Sequence, residues 1–157
     1  LAGLRCGFTL ASSEIITMLS KVIAPYPIAA PVAEIASQAL ALENLEQMKL
    51  RVSKTNTLKQ EFSEWLLKQP WCDSVYPSDA NFILFKSEQK KQLFEGLKEQ
   101  GILIRDQSKQ IGLTDCLRIS IGSEKELAAV KKAISNIINN NLASAPITAN
   151  AAVTQGS

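Results

Sequence analysis

The chain has 157 residues, of which 46% are hydrophobic and 20% are charged, a composition typical of one globular domain rather than of a disordered chain. Its net charge of +2 comes from 17 basic and 15 acidic residues, so it offers no basic surface excess for nucleic acid or an anionic membrane. Histidine is absent, which excludes Ser-His-Asp and Cys-His catalysis and any histidine-ligated metal site within the chain.

The N-terminal part predicts short helical elements separated by turns. Glycines interrupt residues 1–11, which predict a short strand or a turn. Ser12 or Ser13 can cap a helix whose apolar residues recur at helical spacing over 15–23, before a Pro-Tyr-Pro stretch ends it. Pro31 suits the first turn of the helix that follows.

A long helix is predicted over residues 43–69, because apolar side chains recur there at steps of three and four. At a rise of 1.5 Å per residue this helix would be about 40 Å long. Such a helix either links two bodies or forms one side of a helical bundle, and its pattern alone favours neither.

Beyond residue 70 the pattern changes to strands that alternate with helices. The predicted elements are a strand over 74–76, a strand over 82–85, a helix over 88–100, a strand over 102–105, a strand over 117–121 and a last helix. Ser123 and Glu126 predict a capping box at the start of the last helix. The uncharged residues from 142 to 157 predict a disordered tail.

These elements predict an α/β fold, with a small mixed sheet and helices on one of its faces. The continuous apolar run over 82–85 is typical of a strand buried on both faces. If the strands over 81–86 and 102–105 are parallel, the helix between them makes a right-handed crossover.

Three arginines are candidates for binding an anion. Arg118 interrupts an apolar strand, and alternation places it opposite Leu117 and Ile119, where it either binds an anion or serves an edge-strand or ion-pair role. Arg105 ends a neighbouring strand and can point the same way, although Asp106 beside it can equally neutralise it. Arg5 lies between two glycines and either approaches a phosphate or carboxylate or is a surface residue of a turn.

The cysteines predict no metal centre. Cys6, Cys72 and Cys116 are an odd number at wide spacing, which suits neither a disulfide framework nor a zinc site and favours a reducing compartment. No apolar run approaches the roughly 18 residues that a membrane-spanning helix needs. The sequence does not begin with methionine and shows no signal segment, so we expect it to be part of a longer protein.

Five stretches of the sequence resemble fold-type I aminotransferases, which use pyridoxal phosphate. The Gly-Leu-Arg motif at residues 3–5 is similar to the segment that follows the family's cofactor lysine. The Ala-Pro-Tyr-Pro stretch at 24–27 and the Ser-Asp-Ala-Asn stretch at 78–81 match two further family segments. Residues 101–110 and 116–122 resemble the end of the histidinol-phosphate aminotransferase family in particular.

The resemblance implies an enzyme of histidine biosynthesis that moves an amino group between glutamate and imidazole-acetol phosphate, giving histidinol phosphate. It implies that Arg5 binds the phosphate of pyridoxal 5'-phosphate and that Arg105 and Arg118 bind the substrate's anionic group. The family's cofactor lysine would lie before Leu1, so we expect these residues alone to be inactive. The resemblance further implies that the complete enzyme is a cytoplasmic homodimer.

The resemblance also implies a division of the chain. Residues 1–45 would be the end of a large cofactor-binding domain, 46–141 the bridging helix and a small C-terminal domain, and 142–157 the tail.

Two alternatives stay open. A relative of the same fold, such as a threonine-phosphate decarboxylase or an aromatic aminotransferase, would share Arg5 and Arg118. The other alternative is a non-catalytic module that binds a small molecule or forms oligomers through a split βαβ sheet.

Overall fold

The structure is a computed structural model that describes residues 2–144, with side chains over 3–140. It consists of two compact units that divide between Ser53 and Lys54. The 26-residue helix α3 (Leu42–Leu67) crosses this division, and its bounds confirm the predicted long helix. Among the described residues, no helix has both the length and the apolar character needed to cross a membrane.

The first unit is helical and buries little of its apolar surface. It contains a 3-10 turn (Ala2–Leu4), helix α1 (Ser13–Ser20), helix α2 (Ala30–Ala39) and the start of α3. Pro31 stands in the first turn of α2, as predicted. Within residues 3–53, Ala36 is the one buried side chain.

Helix α1 is shorter than predicted. Val22 and Ile23 carry the apolar pattern onward, but the helix ends at Ser20 and the amides of both residues bond back to the Leu19 carbonyl. The apolar spacing therefore continues through the closing turn of the helix, where it no longer marks helical residues.

The second unit is a four-stranded sheet with three helices. Its further elements are β1 (Ser74–Val75), β2 (Phe82–Lys86), α4 (Lys90–Glu99), β3 (Arg105–Asp106), β4 (Cys116–Ser120) and α5 (Glu124–Ser144). The strand order is β1-β2-β4-β3, and every neighbouring pair is antiparallel. Helix α5 extends to Ser144, and the rest of the predicted tail lies outside the described residues.

The predicted mixed sheet is therefore wrong. β2 and β3 do not neighbour each other, because β4 pairs with both of them. The short connection from β3 to β4 favours an antiparallel pair, whereas parallel neighbours need a longer crossover.

Strand β3 also begins later than predicted. Gly101 has a φ of +76° and closes α4, with its amide bonded to the Lys98 carbonyl and the Ile102 amide bonded to the Leu97 carbonyl. These two bonds form a Schellman motif, which uses Ile102 to end the helix rather than to begin a strand.

The core lies on one face of the sheet. Ile83 and Phe85 of β2 are buried, whereas Phe82 and Leu84 are only half-buried, so the prediction that this strand is buried on both faces is wrong. The reason is that α3, α4 and α5 supply core side chains to the Ile83 face. The helical members of this core are Phe62, Leu66, Leu93, Leu97, Leu127, Val130, Ala133, Ile134 and Ile137.

The capping box at α5 is confirmed. The Ser123 amide and hydroxyl each donate to the Glu126 carboxylate at 2.7 Å, and the Glu126 amide donates to the Ser123 hydroxyl at 3.3 Å. The start of α5 thus depends on a local signal that the sequence displays.

Candidate anion-binding site

Arg118 stands on the sheet face opposite the core. Its strand neighbours Leu117 and Ile119 are buried, and alternation turns Arg118 away from them. Across the sheet it lies opposite Leu84 of β2 and Arg105 of β3. Residues directly opposite each other share a face, so the register brings the two candidate arginines together.

The environment of Arg118 leaves it ready to bind an acceptor. Its guanidinium carbon lies 4.9 Å from the centre of the Phe82 ring, a cation–π distance. Its Nε is buried and has no hydrogen-bond partner among the residues that the structure describes. An unpaired buried donor costs about 1–3 kcal/mol, and no protein group among the described residues already occupies this side of the guanidinium group.

An open groove of about 790 Å³ lies in front of the two arginines. We call it the arginine groove, and it is lined by Phe94, Ile104, Arg105, Asp106, Gln107, Lys109, Gln110 and Arg118. The lining contains three cations, two amides and one carboxylate, so it favours an anionic ligand with further polar groups.

Asp106, the one carboxylate in this lining, is bonded to other groups. Its Oδ2 accepts from the Lys90 ammonium at 3.3 Å, and its Oδ1 accepts from the Ser108 amide at 2.8 Å and from the Ser108 hydroxyl. The Ser108 hydrogen bonds, with Lys90, hold the pKa of Asp106 below its usual value. Within residues 3–140, no ion pair joins Asp106 to Arg105, so the neutralisation of Arg105 considered above does not occur.

Arg5 lies in the first unit and is described there by itself. It is exposed, and its φ of +56° is unusual for a residue with a side chain. Its guanidinium makes no hydrogen bond or ion pair within the described part of the chain, so its donors are available to a phosphate. One arginine with open donors fits a cofactor phosphate chemically, and its predicted role stays a prediction.

Sequence reasoning missed several lysine and serine contacts in the second unit, some of them next to this groove. Lys90 and Ser108 secure Asp106, and Lys109 adds a third cation to the groove. Lys59 of α3 donates to the carbonyls of Ser78 at 2.7 Å and Ala80 at 3.0 Å, and thereby holds the loop that leads into β2. The polar run after Arg105 was the available signal for the groove residues, but nothing in the sequence marked Lys59 or Lys90.

None of the three cysteines lines the arginine groove. Cys6, Cys72 and Cys116 are all free thiols. Burial, together with the charge of Asp73, raises the pKa of Cys72 to about 11, so its thiol is protonated at neutral pH. In the described part of the chain, no cluster of three or more carboxylates and cysteines could hold a metal ion.

Comparison with known proteins adds an independent finding. The family profile "Aminotransferase class I and II" matches residues 1–135. A histidinol-phosphate aminotransferase from Colwellia psychrerythraea is 56% identical over 140 residues, which are 87% of this chain and 38% of that protein. The chain thus spans well under half the length of this curated relative.

Solved structures show the same fold. The histidinol-phosphate aminotransferase from Clostridium acetobutylicum superposes with a TM-score of 0.68 at 27% identity, covering 82% of this chain and 39% of that one. The L-threonine-O-3-phosphate decarboxylase from Porphyromonas gingivalis superposes with a TM-score of 0.69 at 22% identity, covering 83% of this chain and 40% of that one. Because its identity is so low, the match to the decarboxylase supports a shared fold and nothing about function.

Proposed function

Because this chain belongs to the class I and II aminotransferase family, we propose that it forms part of a pyridoxal phosphate-dependent histidinol-phosphate aminotransferase. That enzyme moves an amino group between glutamate and imidazole-acetol phosphate and yields histidinol phosphate and 2-oxoglutarate. The 56% identity to the Colwellia relative supports this choice among the enzymes of the fold. The proposal includes a homodimeric, cytoplasmic enzyme.

The observation that carries the proposal is the pairing of Arg105 with Arg118 at the arginine groove, beside a buried Nε that lacks an acceptor. Glutamate presents a carboxylate and the other substrate presents a phosphate, and a guanidinium fork accepts either oxyanion. One groove can therefore position both substrates in turn, which an aminotransferase needs because its two half-reactions share one site. In this proposal Arg105 and Arg118 are substrate-binding residues.

Pyridoxal phosphate supplies the electron sink of the reaction when it is bound. Arg5 has exposed, unengaged donors, and we assign it to the phosphate of this cofactor. In this proposal the family's cofactor lysine lies before Leu1, and the residues of this chain bind and orient substrate and cofactor. Residues 1–45 would then belong to the large domain and residues 46–141 to the bridging helix and small domain.

A chimera tests the proposal. This chain replaces the 140 matched residues of the Colwellia enzyme, and turnover is measured with glutamate and imidazole-acetol phosphate, with phosphothreonine, and with phenylalanine. We expect the first pair to react fastest, at a rate close to that of the unaltered relative. The chain alone serves as the negative control and should show no turnover.

Two results would contradict the proposal. A chimera that assembles and retains pyridoxal phosphate but does not transaminate would favour a non-catalytic module. If the chimera decarboxylates phosphothreonine faster than it transaminates imidazole-acetol phosphate, the chain belongs to a threonine-phosphate decarboxylase instead.

A further inference from the structure

Arg118 contacts an aromatic ring rather than a carboxylate. Its guanidinium carbon lies over the Phe82 ring, 4.9 Å from the ring centre. Within residues 3–140, no ion pair or side-chain hydrogen bond engages the guanidinium group, and its buried Nε has no acceptor. A cation–π contact attracts the charge through the face of the ring and leaves the N–H donors unused. This contact therefore suits an arginine that must be ordered and still bind an anion.

The strand register explains how the two side chains meet. Phe82 of β2 lies directly opposite Ser120 of β4. Arg118 comes two residues before Ser120 in the same strand, so Phe82 and Arg118 share the sheet face opposite the core and are diagonal neighbours. Aromatic and long side chains reach each other across this diagonal. Phe82 is half-buried there, so the contact is partly shielded from solvent.

Hydrogen bonds fix the backbone at the start of β2, from which this ring projects. The Ser78 hydroxyl donates to the Phe82 carbonyl at 2.7 Å, and the Ile121 amide donates to the Asn81 carbonyl at 2.8 Å. Lys59 of α3 also donates to the Ser78 carbonyl, at 2.7 Å. The Ser-Asp-Ala-Asn stretch that precedes Phe82 is therefore anchored both to the sheet and to a helix, and it sets where the ring meets the guanidinium group.

Phe82 is not one of the residues that line the arginine groove, whereas Arg118 is. A ligand in the groove would therefore meet the guanidinium group and not the ring. We propose that Phe82 is a positioning residue of the anion site, whose ring holds the Arg118 guanidinium group in its binding position without using a hydrogen-bond donor. This inference rests on the proposed function, since it takes the arginine groove as the place where phosphate and carboxylate bind.

Titration of the full chain with inorganic phosphate tests the proposal. The backbone amides of Arg105 and Arg118 are followed by NMR, which separates this groove from binding at Arg5. Phe82→Leu keeps an apolar side chain but removes the ring, so the guanidinium group spends less of its time in the binding position. The loss of a partly exposed cation–π contact lowers that population, and with it the phosphate affinity, about two- to fivefold. Phe82→Tyr keeps the ring face and should retain the affinity.

A spectroscopic readout and a matched control separate positioning from packing. The ring current of Phe82 should shift the side-chain N–H protons of Arg118 upfield in the unaltered chain and in Phe82→Tyr, and this shift should disappear in Phe82→Leu. Phe85→Leu is the matched control, because it makes the same change three residues along β2, on the core face of the strand. It should lower the free energy of unfolding more than Phe82→Leu does and leave the phosphate affinity nearly unchanged.

Several results would overturn the inference. Unchanged phosphate affinity in Phe82→Leu, or Arg118 protons without an upfield shift in the unaltered chain, would show that the ring does not position Arg118. Equal weakening in Phe82→Tyr or in Phe85→Leu would assign the loss to the packing of β2. In all these cases the unaltered chain still binds phosphate, so the proposed function stands. If phosphate shifts neither arginine amide in the unaltered chain, the groove is not an anion site, and the proposed substrate-binding roles fail together with this inference.

Discussion

At Arg118 the local pattern of one strand determines which face a charged side chain occupies. Leu117 and Ile119 are 0% and 3% exposed, so the alternation predicted from the sequence is confirmed. The pairing with Arg105 could not be predicted in this way, because it depends on the register between β3 and β4. Register arises from the turn and from packing, whereas alternation is visible within a single strand.

Arg5 gives a residue-scale prediction about the cofactor. In the chimera, Arg5→Lys keeps the charge but loses the two-pronged geometry, so pyridoxal phosphate should bind about ten- to a hundredfold more weakly. Cofactor titration measures this, and activity should return in part when excess pyridoxal phosphate is added. Arg51→Lys, an exposed change on α3, should leave cofactor affinity as it was. Unchanged affinity in Arg5→Lys would remove Arg5 from the cofactor site.

The contacts around Asp106 mark the limit of sequence reasoning at this scale. Lys90 lies 16 residues before Asp106, and the two meet because α4 begins beside the turn after β3. Tertiary packing of α4 creates that contact. The sequence therefore displayed Arg105 as a candidate partner of Asp106 and gave no signal for Lys90.

At the scale of elements, local hydrogen-bonding signals predicted the start of α5 and the end of α4, whereas apolar spacing alone placed the end of α1 too late. The capping box at Ser123 is confirmed, and Gly101 closes α4 where the predicted helix over 88–100 ends, since each uses hydrogen bonds within a few residues. Strand β3 begins later than predicted, because Gly101 and Ile102 form the hydrogen bonds that close α4. The order of strands was missed for a related reason, since pairing between distant segments leaves no local pattern.

Ser123 gives a prediction about the stability of α5. Ser123→Ala removes the hydroxyl that caps the Glu126 amide and should lower the free energy of unfolding by about 1 kcal/mol. Urea unfolding followed by tryptophan fluorescence measures it, and Trp65 and Trp71 both lie in the second unit, so the signal reports on that unit. Ser135→Ala is the control, because its hydroxyl bonds only within the exposed middle of α5.

The loss of stability caused by Ser123→Ala should depend on pH. The hydrogen bonds from Ser123 lower the pKa of Glu126 below its ordinary value of 4.5. The capping box therefore stabilises the fold fully above that ordinary value and loses this contribution as the pH falls through the lowered value of the folded state. The cost of Ser123→Ala should shrink over the same range, and a cost that grew in acid would contradict this role of the Glu126 carboxylate.

At the scale of the whole molecule, the two units differ in how well they cover apolar side chains. The second unit holds nearly the entire buried core, whereas α1 in the first unit buries none of its side chains. Phe8, Leu10, Val22 and Tyr26 are each more than three-quarters exposed, at 83%, 89%, 80% and 94%. An apolar surface of this kind is typical of a protein interface, and it agrees with the expectation that residues 1–45 belong to a larger domain.

Hydrogen exchange tests this difference. The amides of 82–85 and 117–121 lie in strands that pack on the core, so they should exchange far more slowly than those of 15–23. Exchange is followed by NMR or mass spectrometry on the full chain. Equal protection of the two regions would mean that the first unit is as stable as the second and that the expected domain boundary is misplaced.

The most direct test of the shared anion site is Arg118→Lys in the chimera, with the two half-reactions measured separately. Arg118 should contact the glutamate carboxylate in one half-reaction and a phosphate in the other, and lysine retains its charge without its fork. Since a charged hydrogen bond contributes about 1.5–3 kcal/mol, kcat/KM should fall about ten- to a hundredfold in both half-reactions, with no recovery on adding pyridoxal phosphate. A loss confined to one half-reaction, or recovery with added cofactor, would contradict the account.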